Sequence, residues 1–390
     1  MLRLAPSVSS ARVGNIKMSK MMNSKQLEMH PDKTGYILVG TDKQRGKMEG
    51  EIAAEPICFD NFVTSRKLNE KWLGDRIGRS LSGSVEDTIT ERSGKITASC
   101  YEMKAIVEDI RMASIAGMQV AFLLWESAAV SSLLTNCESW VNMSPATTTK
   151  LEDLQYMFLR MVLTAPWGTA KPALTFETGL LPLKFHVMIR KLTFVNVIKH
   201  QSKDSLAKQV LTEQISNKWP GLAEEASEIC QHLNILDITK VDVSLSGWKQ
   251  LVKRAARNKA EEEMKEELRK YSKVKELAEE RFERKSYFDN KVIEEVRTEF
   301  KMRAKVLKCK MNFPSDKKFS ADLWRCEDCG MVDTMAHVLY CRAHRDLREG
   351  RDINNSRDVV SYYMEVMKRR DNRSDCARQK TISPGSCHEI

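Results

Sequence analysis

The chain has 390 residues, of which 42% are hydrophobic and 30% charged, so a largely disordered polymer is excluded and a sizeable core can form. Lysine and arginine number 63 against 53 acids, a net charge of +10 that favours a polyanionic partner such as nucleic acid without demanding one. The ten cysteines are spread through the chain, which points to a reducing compartment, nuclear or cytoplasmic, over a disulfide framework.

The first acid is Glu28, and the Arg, Lys and Ser before it fit two readings. One is a mitochondrial transit peptide. The other is an amphipathic helix carrying Ala11, Ile16, Met18, Met21 and Met22 and leading into the turn His30-Pro31-Asp32. Thr34 to Gly40 is an aromatic and β-branched run that predicts a buried strand, and Ile57 to Val63 and Trp72 to Ile77 predict two more. Residues 1–80 therefore read as a small mixed α/β region.

From Val85 onward the apolar period changes to three and four. Ile106, Ile110, Ala113, Gly117, Val120 and Leu124 follow it, as do Leu151, Leu154, Phe158 and Met161. The most apolar stretch, Ile115 to Leu134, is interrupted by Gln119 and Glu126, so no membrane span is expected. Ala165-Pro-Trp-Gly168 and Lys171-Pro172 form a breaker-rich turn. Gly179-Leu-Leu-Pro182 ends one helix and starts another that runs from Leu183 to Lys199. A boundary is expected near Trp219-Pro220-Gly221.

Residues 219–310 are dense in charge. Glu261/Lys265, Glu266/Lys270 and Glu280/Arg284 stand at i, i+4, and Phe288, Val292, Val296 and Phe300 make one apolar line. Two readings stand side by side: a solvated helix packing one stripe on the body, and a helical arm lying on a nucleic-acid backbone.

Cys326, Cys329, His337 and Cys341 lie in the run CEDCGMVDTMAHVLYC, a Cys-x2-Cys-x7-His-x3-Cys spacing. Two thiolates two residues apart can grip one metal from a tight turn, and a His and Cys one helical turn apart can complete a tetrahedron, which is the ligand set of a closed, structural Zn2+ site. Gly330 permits the left-handed turn this needs. Met335, Val338 and Leu339 are the expected packing residues, and His344 and Cys309 are further possible ligands. The alternative is a set of buried thiols with a chance histidine. The stretch beyond Gly350 is polar, with the basic cluster Lys368-Arg-Arg370, and is expected to fray.

Taken in order, these parts resemble the C-terminal half of the reverse transcriptase of non-LTR (LINE-type) retrotransposons. HPDKTGYILVG (His30 to Gly40) looks like motif D of that family's palm, KWLG (Lys71 to Gly74) like its primer-grip hairpin, and LLWESAAVSSLLTNCESWVNM (Leu123 to Met143) like its thumb. Leu151 to Ile198 looks like the helix, proline turn and GLLPL element that follow, and the Cys/His run falls where such elements carry a zinc knuckle. The resemblance covers roughly residues 1–345 and implies a mainly α fold. A small α/β remnant of the polymerase palm (1–80) would be followed by a helical thumb (81–218), a charged helical region (219–310), a zinc lobe (311–345) and a basic tail (346–390).

The resemblance also implies roles. Lys33 would sit near the incoming triphosphate, and Lys71, Trp72 and Gly74 near the primer end, with Trp72 where a tyrosine is usual. Lys184, Arg190 and Lys191 would line the thumb, where phosphates track basic side chains. Arg325, Arg342, Arg345 and Arg348 would meet RNA or DNA around the knuckle. Trp125, Trp140, Phe158 and Phe185 read as core.

Polymerases of this kind hold two divalent metals with palm carboxylates, two of them adjacent aspartates. No Asp-Asp pair occurs in this sequence, so the Mg2+ site is expected to be absent and the chain inactive by itself, and Asp60, Asp75 and Asp109 read as solvated surface acids. The expectation is a truncated remnant that begins just after the catalytic pair. A polymerase completed in trans by a separate fingers and palm chain is the alternative among enzymes, and that missing half or other retrotransposon proteins are expected partners; a host-recruited helical interaction protein that uses zinc only for folding is the alternative among scaffolds. The tail has no Pro-Asp and Glu-x-Lys pairing, so the nuclease of some relatives is not expected.

Overall fold

A computed structural model of the chain describes residues 7–24, 35–38, 42–59, 62–67, 69–72, 75–78, 81–110, 117–307, 309, 325–352 and 355–382. The protein is mainly helical, and among the described residues its strands form only two-stranded pairs. Gly35–Tyr36 lies parallel to Ser65–Arg66, and Cys58–Phe59 and Phe62–Val63 form an antiparallel pair. The expected strand from Ile57 to Val63 is thus folded back on itself. The stretch from Trp72 to Ile77 likewise falls within a hairpin, Asn69–Trp72 against Asp75–Gly78.

Helix Val8–Ser24 packs near these strands, with Val8, Leu38, Ile52 and Ile57 as a small apolar cluster. Asp75 is not the solvated acid expected from sequence. Its carboxylate is 2.6 Å from the Arg92 guanidinium, which also donates to the carbonyls of Leu133 (3.1 Å) and Thr135 (2.6 Å) and lies over the Trp140 ring. Asp109 is exposed, and Asp60 lies outside the described residues.

The chain packs into two compact units, each made of three separate segments. The first comprises residues 1–96, 130–152 and 183–256; the second comprises 97–129, 153–182 and 257–390. These units do not follow the consecutive stretches read from the sequence, and residues on both sides of Trp219-Pro220-Gly221 belong to the first.

Breakers set the helix ends. Ser144 accepts a hydrogen bond from the Thr147 amide just ahead of helix Pro145–Leu163, a side-chain cap followed by proline in the first turn. Helix Lys171–Thr178 has proline in its first turn and closes at Gly179, whose φ of 63° satisfies a carbonyl of the last turn through its amide. Helix Leu183–Lys199 follows Pro182 at the bounds the sequence predicts.

In the first unit this helix packs beside Leu206–Asn217 and Leu222–His232, and the buried Trp248 indole donates to the Leu192 carbonyl at 3.0 Å. In the second unit Trp125 stacks on Phe158 with ring centroids 4.4 Å apart, and Phe122 meets Phe288 edge-on. Trp125, Trp140, Phe158 and Phe185 are all buried, as core residues should be.

Helix Leu245–Arg269 buries Trp248, Val252, Ala256, Ala260, Met264 and Leu268 and leaves its charges outside, which is the packed-stripe reading of the charged region. The pairing differs in detail from the spacing rule. Lys265 does meet Glu261 at 2.8 Å, but Lys270 lies past the helix end and pairs with Glu267, while Glu280 faces Arg303 and Lys285. The apolar line is also interrupted. Tyr287–Asn290 and Ile293–Arg303 are separate helices, and Val292 between them is extended and 39% exposed, so Ile293 joins Phe288, Val296 and Phe300 in the core.

Glu177, fully buried, ties these pieces together. It accepts from Arg303 at 2.7 and 3.0 Å and from the Tyr287 hydroxyl at 2.8 Å. Arg297 is buried as well, bonded to Glu108, Glu294 and the Val162 carbonyl. No helix among the described residues is long and apolar enough to cross a membrane.

Candidate metal centre

The metal lobe starts as a tight reversal. Arg325 and Val332 form an antiparallel bridge, the Cys326 amide donates to the Met331 carbonyl, and the Gly330 amide donates to the Cys326 carbonyl at 2.8 Å. Gly330 has φ 74°, the left-handed conformation that a residue with a Cβ adopts at a cost. This turn aims the Cys326 and Cys329 thiols the same way. Thr334 then caps helix Met335–Tyr340 by accepting from the His337 amide at 2.9 Å. His337 stands on the first turn of that helix, and Cys341 at its end.

The four ligand atoms all lie within 4.8 Å of one another. The Cys326 and Cys341 sulfurs are 3.9 Å apart, Cys341 and Cys329 3.6 Å, and the Cys329 sulfur is 3.3 Å from His337 Nε2. A tetrahedron with metal–sulfur bonds of about 2.3 Å and a metal–nitrogen bond of about 2.0 Å requires separations of roughly 3.8 and 3.5 Å. The donor set and its spacing therefore fit Zn2+, and with four protein ligands the site has no position for substrate. Burial pushes the Cys341 thiol up to about 12, so the bare lobe keeps this proton and metal binding releases it.

The surroundings answer the charge of such a site. Three thiolates and a neutral imidazole around a dication leave one net negative charge. Arg370, from helix Ser356–Ile382, points its guanidinium at the Cys326 sulfur (3.6 Å) and holds both oxygens of the buried Asp333 at 2.9 and 3.1 Å. The other possible ligands stand apart. Cys309 is in an apolar cluster with Leu307, Val338, Val359, Tyr362, Tyr363 and Val366, and the buried His344 faces Asp328 with Nε2 3.0 Å from a carboxylate oxygen.

The expectation of a frayed tail is corrected. Val359, Val360, Tyr362, Tyr363 and Val366 form a buried stripe on helix Ser356–Ile382, and the tyrosine hydroxyls donate to the Val338 and Met335 carbonyls at 2.8 and 2.6 Å. Met335 and Leu339 pack against the same cluster. The metal lobe and the part of helix Ser356–Ile382 from Val359 to Val366 pack as one body. The stripe is the sequence signal for the helix that carries Arg370, with dense charge around it masking the period, and nothing in the sequence pairs Asp333 with it.

The basic candidates separate by burial. Lys191 is buried with Nζ 2.5 Å from Glu225, so it offers no surface to a phosphate, contrary to the expected thumb role. Arg190 donates to the Leu134 carbonyl at 2.8 Å, and Lys184 lies 3.8 Å from Glu152 with its ammonium over Phe185. All three therefore have partners within the first unit: Lys191 and Lys184 face carboxylates on neighbouring helices, and Arg190 a carbonyl just past the end of Ser131–Leu133. Arg325, Arg342 and Arg345 are exposed around the metal lobe, while Arg348 donates to the Leu339 carbonyl at 2.8 Å. Lys71 and Trp72 sit in a hairpin strand opposite Arg76 and Asp75; Lys33 and Gly74 lie outside the described residues.

No family model matches the sequence, and no curated protein or solved structure matches it.

Proposed function

We propose that this chain is a nucleic-acid-binding portion of a LINE-type reverse transcriptase, anchored by a C-terminal lobe that folds around one structural Zn2+. The observation that carries the reading is the Cys326, Cys329, His337 and Cys341 cluster, whose atoms stand at tetrahedral spacing in a mainly helical chain with the family-like segments in the family's order. Its partners are RNA or DNA, met by the exposed Arg325, Arg342 and Arg345 around the lobe. The hairpin Asn69–Trp72/Asp75–Gly78 supports comparing KWLG with a primer grip. No residue is assigned a catalytic role, since the sequence has no Asp-Asp pair for a two-metal centre.

The test is made on the purified full chain. One equivalent of zinc, RNA binding that weakens steeply with salt, and no primer extension with Mg2+ are the expected results. Extension above a no-enzyme control overturns the assignment of no catalysis. Extension that appears only on co-expression with a separate fingers and palm chain establishes the version completed in trans.

A second reading is favoured by the internal pairing of Arg190 and Lys191: a zinc-stabilised helical scaffold that binds protein. Full zinc loading with no salt-sensitive RNA binding selects it.

A further inference from the structure

Trp167 is 84% exposed, the most exposed large apolar side chain among the described residues, and it stands on a turn. One face of its indole is backed by the Arg160 guanidinium, 5.3 Å from the ring centroid. A cation over an aromatic face stiffens the ring and is attracted to its electron-rich surface. The ring also forms one wall of a groove of about 670 Å3.

The turn after helix Leu245–Arg269 supplies Lys270, Tyr271 and Lys273 to the same lining, and Ala170, Val274, Ala304 and Val306 are among its apolar members. Tyr271 is itself 42% exposed. Among the lining residues there are two lysines and no carboxylate. Lys270 pairs with Glu267 outside the groove and Lys273 has an interaction of its own, but the Lys270 pair is solvent-exposed and screened by water, so a phosphate can compete for the ammonium.

We infer that this groove takes an unpaired base of single-stranded nucleic acid, stacked on Trp167, with the flanking phosphates near Lys270 and Lys273. Exposed aromatics beside lysines match the two features of a single strand that every nucleotide repeats, a flat π-face and a negative charge. A duplex keeps its bases stacked inside and offers the ring nothing. The inference deepens the nucleic-acid reading by assigning it a contact point remote in sequence from the zinc lobe.

The experiment titrates the full chain with a fluorescein-labelled single-stranded oligonucleotide, following anisotropy together with intrinsic tryptophan emission. Trp167→Ala is expected to weaken binding by roughly tenfold or more and to remove most of the emission quenching, while Trp167→Phe retains much of the affinity. The double variant Lys270→Ala/Lys273→Ala should reduce the salt dependence by the equivalent of one to two phosphate contacts. A duplex of the same length should bind in a way that Trp167→Ala does not alter.

Wild-type binding that neither variant changes overturns the groove assignment and leaves the zinc-lobe reading intact. Absence of any oligonucleotide binding overturns both. Trp167-dependent self-association in sedimentation, without quenching by oligonucleotide, reassigns the groove to a second copy of the chain and rejects the inference. Circular dichroism of each variant checks that the fold is retained, which a solvent-exposed position permits.

Discussion

Arg370 and Asp333 are joined by two hydrogen bonds, 2.9 and 3.1 Å, across 37 residues of sequence, and the same guanidinium reaches the Cys326 sulfur. Asp333 is 2% exposed, so its charge is balanced where water is excluded. The pair ties helix Ser356–Ile382 to the metal lobe and orients a cation toward a candidate ligand that metal binding would make a thiolate.

Arg370→Ala is therefore expected to lower zinc affinity about 10- to 100-fold, the range found when partners of metal ligands are removed. Competition with a chromophoric chelator measures it. Arg369→Ala, whose guanidinium pairs with the exposed Asp346 instead, should leave the affinity nearly unchanged. Equal effects of the two variants would count against the orienting role.

Stripping the metal should loosen the whole C-terminal body. The ligands and the stripe Val359, Tyr362, Tyr363 and Val366 belong to the same packed lobe, and Tyr363 bonds the helix that carries His337. Chelation, or Cys341→Ser, is expected to expose 326–382 to limited proteolysis and to reduce helical ellipticity. Cys58→Ser, at an exposed thiol far from the lobe in sequence, should do neither.

Two glycines should respond with opposite signs to the same substitution. Gly179→Ala puts a Cβ 2.2 Å from the Arg284 amide nitrogen and 2.6 Å from the Glu283 carbonyl carbon, at φ 63°, and should destabilise by roughly 2 kcal/mol or more. Gly94→Ala, within helix Leu81–Ile110 with nothing within 4 Å, should stabilise by about 0.5–1 kcal/mol. Urea unfolding of the two variants decides the matter.

Asp237 should contribute a pH-dependent term in acid. Burial acts to raise its pKa, but hydrogen bonds from Ser227 (2.7 Å) and from the Thr239 hydroxyl (2.7 Å) and amide (3.0 Å) outweigh it and hold the carboxyl at about 2. A depressed folded-state pKa gives stability that is present above the unfolded value of about 4 and is lost as pH falls toward 2. Asp237→Asn should cost about 2 kcal/mol at neutral pH and flatten the stability profile between about pH 4 and 2. A variant that loses stability in parallel with the wild type over that window would show that other groups control it.

The ligand quartet was legible in the sequence because its members lie within 16 residues, where chain geometry alone limits what they can meet. Helix ends at Pro172, Gly179 and Pro182 were legible for the same reason, since φ restriction and a missing amide act locally. What Lys191, Asp75 and Arg370 touch was not legible. A charged side chain looks the same in sequence whether it faces water, Glu225, Arg92 or Asp333, and only packing brings such partners together. The two interleaved units and the docked C-terminal helix were decided the same way, by contacts between segments distant in the chain. Local stereochemistry thus set the turns and the candidate metal cluster of this protein, and tertiary burial decided which of its many charges stay exposed.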